Sequence, residues 1–267
     1  MKRVVSMQDL SCIGRCSLSV ALPVLSAMGC RCDVLPTAVL STHTAFPQPF
    51  IHSLTEDIQP ICNHWKSVGV EFDAVSIGYL SDPAQISAAQ QLLENFPCLC
   101  ILDPAMGDHG KLYSGIRESH PQALRQLCHK ADILLPNVTE AALLTGIPYR
   151  ETADKAYLND LLQGLLCLGP KAVCITGIEK GDTVGYYGIA DGDIFEGFSK
   201  KQTPSHGTGD LFAAVFTGAV MQGKTIPQAA TLAADFIGHI LSENTNSSPF
   251  GVEFEPHLPY LWKLLQK

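Results

Sequence analysis

Basic residues are scarce in this sequence. Lys and Arg number 18 against 26 Asp and Glu, which gives a formal net charge of -8 at pH 7. A surface of that sign repels nucleic-acid phosphates, so no nucleic-acid partner is expected. Charge of either sign is limited to 16% of the chain, while hydrophobic residues reach 46%. That balance excludes a mainly disordered chain and supplies a deep core. Long apolar runs are missing too. The longest uncharged one, residues 211–221, is too short to span a bilayer, so no membrane partner is expected. The N-terminal stretch MKRVVSMQDLSC turns polar too early for a signal peptide. None of the ten cysteines forms a CxxC pair, and Cys12/Cys16 and Cys30/Cys32 lack the usual zinc spacing. Cys98, Cys100 and Cys174 lie in apolar runs, where free thiols pack as small hydrophobes. Reduced structural thiols, and with them a cytoplasmic location, are expected. No G-x-G-x-x-G follows the first strand, which argues against a dinucleotide oxidoreductase. No repeat, low-complexity tract or linker interrupts the chain, so one domain over residues 1–267 is expected.

What is present alternates. Residues 3–8, 33–38, 74–77, 98–102, 133–135 and 172–176 read as short apolar strands. Residues 17–28, 83–95, 119–129, 138–145 and 155–168 between them read as helices. That order predicts a mostly parallel sheet covered on both faces. Residues 183–189 and 193–199 alternate about Ala-Asp-Gly, the signal of an antiparallel hairpin near the C-terminal end of the sheet. Residues 227–241 form an amphipathic helix and 256–265 a last one.

The chain is organised around residues 204–221, PSHGTGDLFAAVFTGAVM. Gly207-Thr208-Gly209 makes a tight turn, and a run of small and apolar residues begins after Asp210. The glycines bring bare N–H groups close to a ligand at the start of a buried helix. With the helix dipole they form a phosphate site. A carboxylate at Asp210 repels a bound anion, so it needs a reason. Taking a proton from a hydroxyl that attacks phosphorus supplies one. An ordinary N-cap Asp is the plainer alternative.

Other polar clusters fall where strands end, the place where open parallel sheets gather active residues. In DPAMGD, Asp103 and Asp108 flank a Pro–Gly turn, and carboxylates hold hydrated magnesium. In PNVTE, Asn137 and Glu140 have capping-box spacing. Thr176 ends the strand VCIT. Each has a plain structural reading as cap, turn or β-former. His206, Lys200 and Lys201 read as solvated loop residues.

Taken together, HGTGD, DPAMGD and PNVTE resemble the signatures of the ribokinase-like kinases. SMQDLSC, LSTHTAF and IGYLSD resemble segments of one branch, the pyridoxal/pyridoxamine (vitamin B6) kinases. The resemblance covers nearly the whole chain in matching order. It implies a three-layer α/β/α sandwich, ribokinase-like, and ATP-dependent phosphorylation of the 5′-hydroxymethyl group of pyridoxal, pyridoxamine or pyridoxine. It implies Asp210 as the base, with the amides of Gly207 and Gly209 stabilising the moving phosphoryl group. ATP would contact Asp108, Asn137, Glu140, Thr176, Gly207, Thr208 and Gly209. The acceptor would contact Asp9, Thr44, Tyr79 and Asp210. Mg2+ would be held through Asp108 and Glu140. A monovalent cation belongs to the same set, although Leu135 stands where many relatives carry Thr. A homodimer is implied as well. The chain departs from the family pattern near its start. Asp9 replaces a usual Ser, and Ser17-Leu18 stand where a Gly-Asn pair is common. An Asp9 carboxylate facing the pyridine nitrogen would favour the protonated ring. Two rivals remain open: hydroxymethylpyrimidine (phosphate) kinase, and a non-catalytic vitamin-binding protein on the same scaffold.

Overall fold

A computed structural model describes residues 1–202, 205–243 and 248–266. Pro204, at the head of the glycine-turn stretch, lies outside them. In chain order the elements are β1 (Arg3–Ser11), α1 (Leu18–Ala27), β2 (Arg31–Leu40), β3 (Ile51–Ser53), α2 (Thr55–Ser67), β4 (Ala74–Ile77) and α3 (Pro83–Asn95). There follow β5 (Leu99–Leu102), β6 (Gly107–Asp108), β7 (Lys111–Leu112), α4 (His120–Cys128), β8 (Ile133–Leu134), α5 (Val138–Thr145) and α6 (Lys155–Leu166). The chain continues through β9 (Ala172–Lys180), β10 (Thr183–Ala190), β11 (Asp193–Lys200), α7 (Thr208–Met221), α8 (Ile226–Glu243) and α9 (Leu258–Leu265).

Among the described residues, nine strands form one sheet in the order β11-β10-β9-β8-β5-β4-β1-β2-β3. The stretch from β9 to β2 is parallel, and β10, β11 and β3 run antiparallel to their neighbours. Successive side chains leave a strand on opposite faces, so each central strand feeds two cores. Val5, Val75, Leu102, Leu134 and Val173 enter the core beneath α2 to α6. Val4, Ala74, Ile101, Ile133 and Cys174 enter the other, beneath α1, α7, α8 and α9. This is the expected three-layer arrangement.

Local chemistry explains the helix starts. Asp82 caps α3 by accepting from the N–H groups of Ala84 and Gln85, with Pro83 pre-set for the first turn. Asn137 and Glu140 close a reciprocal capping box at α5. The β10–β11 turn places Asp191 at φ 52° and Gly192 at φ 87°, as a two-residue hairpin loop requires.

Three sequence expectations need correction. β1 does not stop at Gln8 but runs to Ser11, with a register irregularity between Gln8 and Leu10. Asp9 therefore lies inside the strand, at that irregularity, where β1 runs beside β2 and its pairing with β4 has already ended at Met7. β9 likewise continues past Thr176 to Lys180; an irregularity there puts Thr176 and Gly177 (φ 65°) opposite one residue of β10. α2, an additional helix, lies between β3 and β4.

Candidate active site

The parallel register aligns Met7, Ile77, Leu102 and Leu134 across β1, β4, β5 and β8. Just beyond that line stand Asp9, Tyr79, Asp103 and Asn137. Backbone bonds hold the exits: the Gly78 N–H donates to Met7 O at 3.1 Å, Asp103 to Ile77 O at 2.8 Å, and Thr176 to Pro136 O at 2.9 Å. Polar side chains from separate segments are thus delivered to one edge of the sheet.

α7 begins at this edge. Gly207 is its N-cap, in the left-handed region at φ 82°, and the helix has no side-chain cap. The amides of Thr208, Gly209 and Asp210 open the helix, and the first internal bond there runs from the Leu211 N–H to Gly207 O at 2.9 Å. A Cβ built on Gly209 would meet no neighbour within 4 Å, which leaves room beside these donors. Asp210 is half-buried there. Loss of water pushes its carboxyl up to about 7, the nearby Ser17 backbone pulls the other way, and the negative charge of Asp9 adds to the rise. Near neutral pH such a group can accept a proton and release it again.

Asp9 is buried, 4% exposed. Its Oδ1 accepts from Ser17 Oγ at 2.6 Å and its Oδ2 from Ser11 Oγ at 3.4 Å. Burial raises its pKa, and the two hydroxyls oppose that shift. The carboxylate lies within electrostatic reach of Tyr79 and Asp210. Thr44 is exposed on the loop after β2. Its neighbour His43 is buried, bonded through Nε2 to Pro249 O at 2.9 Å, with its ring centroid 5.6 Å from that of His206. Arg15 is tied to Glu255 through Nε at 2.7 and 2.9 Å. Lys201 pairs with Glu179 at 2.6 Å.

A second group of acids faces Asp210. Glu140 is 2% exposed and accepts from the Asn137 N–H at 2.8 Å and the Met106 N–H at 3.1 Å. Asp103 is raised well above the usual carboxylate range by burial, then by the charges of Glu140 and Asp210. Burial likewise raises Glu140, and Asp108 adds repulsion. Asn137 Nδ2 donates to Gly107 O at 2.8 Å and the Gly110 N–H to Thr139 Oγ1 at 2.9 Å, which fasten the β6–β7 hairpin to α5. That hairpin presents Asp108, exposed, with Oδ1 accepting from the His109 N–H at 2.8 Å.

The groups that shift Asp103 and Glu140 include no basic side chain. A divalent cation fits such a donor set, because hard oxygen ligands and negative charge are what magnesium takes. Among the described residues, no three His, Cys, Asp or Glu side chains cluster tightly enough to enclose a metal. The set therefore suits an ion that keeps water and phosphate oxygens as its remaining ligands.

The sequence reading left out two residues. Tyr113 lies within electrostatic reach of Glu140, Asp108, Asp103 and Asp210, and burial together with those charges raises its phenol. Ser17 donates through its Oγ to Asp9, and its backbone lies near enough to Asp210 to oppose the rise of that carboxyl. Its one sequence signal is that it occupies a glycine position. Cys16, beside them, is pushed up to about 12 by burial and by Asp210, and is no nucleophile. All ten cysteines are free, and no described helix is long and apolar enough to cross a membrane.

A family model described as phosphomethylpyrimidine kinase matches residues 22–254. Among solved structures, a Bacteroides thetaiotaomicron protein crystallised with pyridoxal is 33% identical, with TM-score 0.93 over 97% of this chain and 95% of that one. Pyridoxal kinase from Lactobacillus plantarum is 32% identical, with TM-score 0.89 over 99% and 98%. Pyridoxal kinase from Leishmania donovani, in complex with ADP and pyridoxamine, shares the fold at 20% identity and TM-score 0.88, over 98% and 96%.

Proposed function

This chain belongs to the phosphomethylpyrimidine kinase family, and from that premise we propose that it is a pyridoxal kinase. It transfers the γ-phosphoryl group of ATP to the 5′-hydroxymethyl group of pyridoxal, pyridoxamine or pyridoxine. The observation that carries this reading is Asp210: a carboxyl raised to about 7, at the uncapped N-terminus of a buried helix.

Asp210 takes the hydroxyl proton as the oxygen attacks phosphorus. The opening amides of α7, from Gly207 through Gly209 to Asp210, take up charge on the group in transit. Their donors are fixed by the fold and need no rearrangement when charge develops. Thr176 and Thr208 border the phosphates. Asn137 acts by bracing the hairpin that carries Asp108, since its side chain is already bonded on both ends. Glu140 and Asp108 are the residues that would hold magnesium, which when bound offsets the charge of the phosphate oxygens. Asp9, Thr44 and Tyr79 line the acceptor end. A single domain and a homodimer belong to the same proposal.

Hydroxymethylpyrimidine phosphate is the less favoured acceptor. Its phosphate would face Asp9 and Asp210, and the guanidinium of nearby Arg15 is already engaged by Glu255. An ADP-release assay with pyridoxal, pyridoxamine, pyridoxine, hydroxymethylpyrimidine and its phosphate separates these readings. Turnover with the vitamers supports the proposal. Turnover confined to the pyrimidines rejects it, and vitamer binding without ADP release identifies a carrier.

A further inference from the structure

The strap from Pro249 to Val252, between α8 and α9, is bonded to three separate parts of the site. Pro249 O accepts from His43 Nε2 at 2.9 Å, and Phe250 O accepts from the Arg15 N–H at 2.7 Å. The Val252 N–H donates to His206 O at 3.0 Å. Arg15 belongs to the loop after β1, His43 to the loop after β2, and His206 to the approach to the glycine turn. Gly251 stands at φ 94°, and a Cβ on it would lie 2.9 Å from Arg15 O, so the strap runs tight against the first of these loops. The bonds to Arg15 and His206 are backbone to backbone. The bond to the loop after β2 depends on a side chain, that of His43.

His43 is buried, and each of its ring nitrogens has a partner. A carbonyl oxygen only accepts, so Nε2 carries the hydrogen that meets Pro249 O. Nδ1 is left as the acceptor for the Ala45 N–H at 3.3 Å, and the two bonds together fix one tautomer. The ring packs so closely on Gly14 that a Cβ there would collide with its Cδ2. The His43 N–H donates to Ile13 O at 3.1 Å, which ties its backbone to the loop after β1 as well.

We propose that His43 is a positioning residue for phosphoryl transfer: by latching the loop after β2 to the strap at Pro249, it holds the acceptor end of the site in register with the glycine turn. The proposal rests on the reading of the chain as a vitamer kinase. Thr44, at the acceptor end, follows His43 directly, and the far end of the strap supports His206, which precedes Gly207. The acceptor hydroxyl and water compete for the same phosphorus and the same base. The hydroxyl wins where it is held in line and water is kept out. With the latch open, water attacks the γ-phosphorus in the vitamer's place and gives its proton to Asp210. The bond from that phosphorus to the bridging oxygen breaks, leaving ADP and inorganic phosphate.

Two substitutions separate a latch from simple packing. Gln carries its amide nitrogen about as far along the side chain as Nε2 of an imidazole, so it still donates to Pro249 O. Asn keeps an oxygen for the Ala45 N–H but is too short to reach Pro249.

The test takes wild type, His43→Gln, His43→Asn and Gly251→Ala and measures kcat, both KM values and the ratio of ADP formed to pyridoxal phosphorylated. That ratio does not depend on how much of the protein is folded, so instability alone does not move it. Wild type is expected to form the two in equal amount. His43→Asn should lower the rate of transfer by roughly 10–100-fold, the scale of a small misplacement of a reacting group. It should raise the pyridoxal KM more than the ATP KM and release more ADP than phosphorylated pyridoxal. His43→Gln should recover most of that loss and bring the ratio back towards equality. Gly251→Ala lifts the strap from Arg15 with His43 intact and should show the same excess of ADP. Equal losses in the Asn and Gln variants, or an Asn variant that forms ADP and product in equal amount, overturn the proposal. If His43→Asn does not fold, Gly251→Ala decides: an excess of ADP supports the latch, and equal amounts overturn it. A wild-type chain that phosphorylates no vitamer overturns the underlying kinase reading, and this proposal with it.

Discussion

The backbone oxygen of Arg15 occupies the space into which a side chain on Gly207 would project. The glycine turn is therefore fitted against the loop after β1, and Gly207 also needs its φ of 82°. Gly207→Ala meets both obstacles at once. It is expected to lower stability by about 1–3 kcal/mol, the cost of a residue forced into a sparsely populated conformation, and to reduce kcat with it. Thermal unfolding checks the first effect and steady-state turnover the second. An alanine variant with wild-type Tm and kcat contradicts this packing.

Asp210→Asn is expected to lower kcat by roughly 10²–10⁴-fold, the usual loss for a general base. ATP binding should persist, because the amides remain. The same change should stabilise the fold at pH 8. The folded pKa of about 7 lies above the ordinary value of 3.8, so ionising Asp210 opposes folding, increasingly so above the lower value. An increase in Tm of several degrees alongside lost turnover is the trade-off expected of an active site. A calorimetric scan at pH 8 reads it, and a lower Tm contradicts it.

The same raised value sets a pH dependence. A base must be ionised to act, so log kcat should fall as pH drops through about 7. Asp9→Asn keeps an oxygen for Ser17 but removes the charge that repels ionised Asp210. Its acid limb should therefore move to lower pH. Asp9→Ser tests the separate expectation that this carboxylate favours a protonated pyridine ring, through the pH dependence of acceptor binding. An unchanged profile in both variants would show that Asp9 influences neither Asp210 nor the acceptor.

Glu140→Gln removes a buried charge while keeping an oxygen for the capping box. The magnesium concentration needed for half-maximal rate should rise roughly 10–100-fold, the scale of lost supporting contacts at a metal. Titration of the rate with Mg2+ measures this. Unaltered magnesium dependence would leave Glu140 as a helix cap and nothing more.

Much of this was legible in the sequence because the signals were local. Pro83 after Asp82, the Asn137–Glu140 spacing and the Asp-Gly hairpin turn each carry their geometry in adjacent residues. α2 was not legible: Pro60 lies inside it and only Ile58 and Cys62 are buried, so neither a clean stripe nor a clear stop marks it. The ends of β1 and β9 were misplaced because pairing with β2 and β10 extends both strands past their apolar cores. The bond from Ser17 to Asp9 forms only when the start of α1 is folded back against β1, which no local pattern records. The face shared by Asp103, Glu140 and Tyr113 likewise exists only once the segments after β5 and β8 are brought side by side.

The most direct measurement incubates the protein with ATP, Mg2+ and pyridoxal and follows the product by mass and phosphorus NMR, beside the Asp210→Asn variant. The wild-type chain should yield pyridoxal carrying one phosphate on its 5′ oxygen, with ADP in equal amount, and the variant should yield almost none. Pyridoxal recovered unchanged from the wild-type reaction, or equal product from both proteins, would contradict the account.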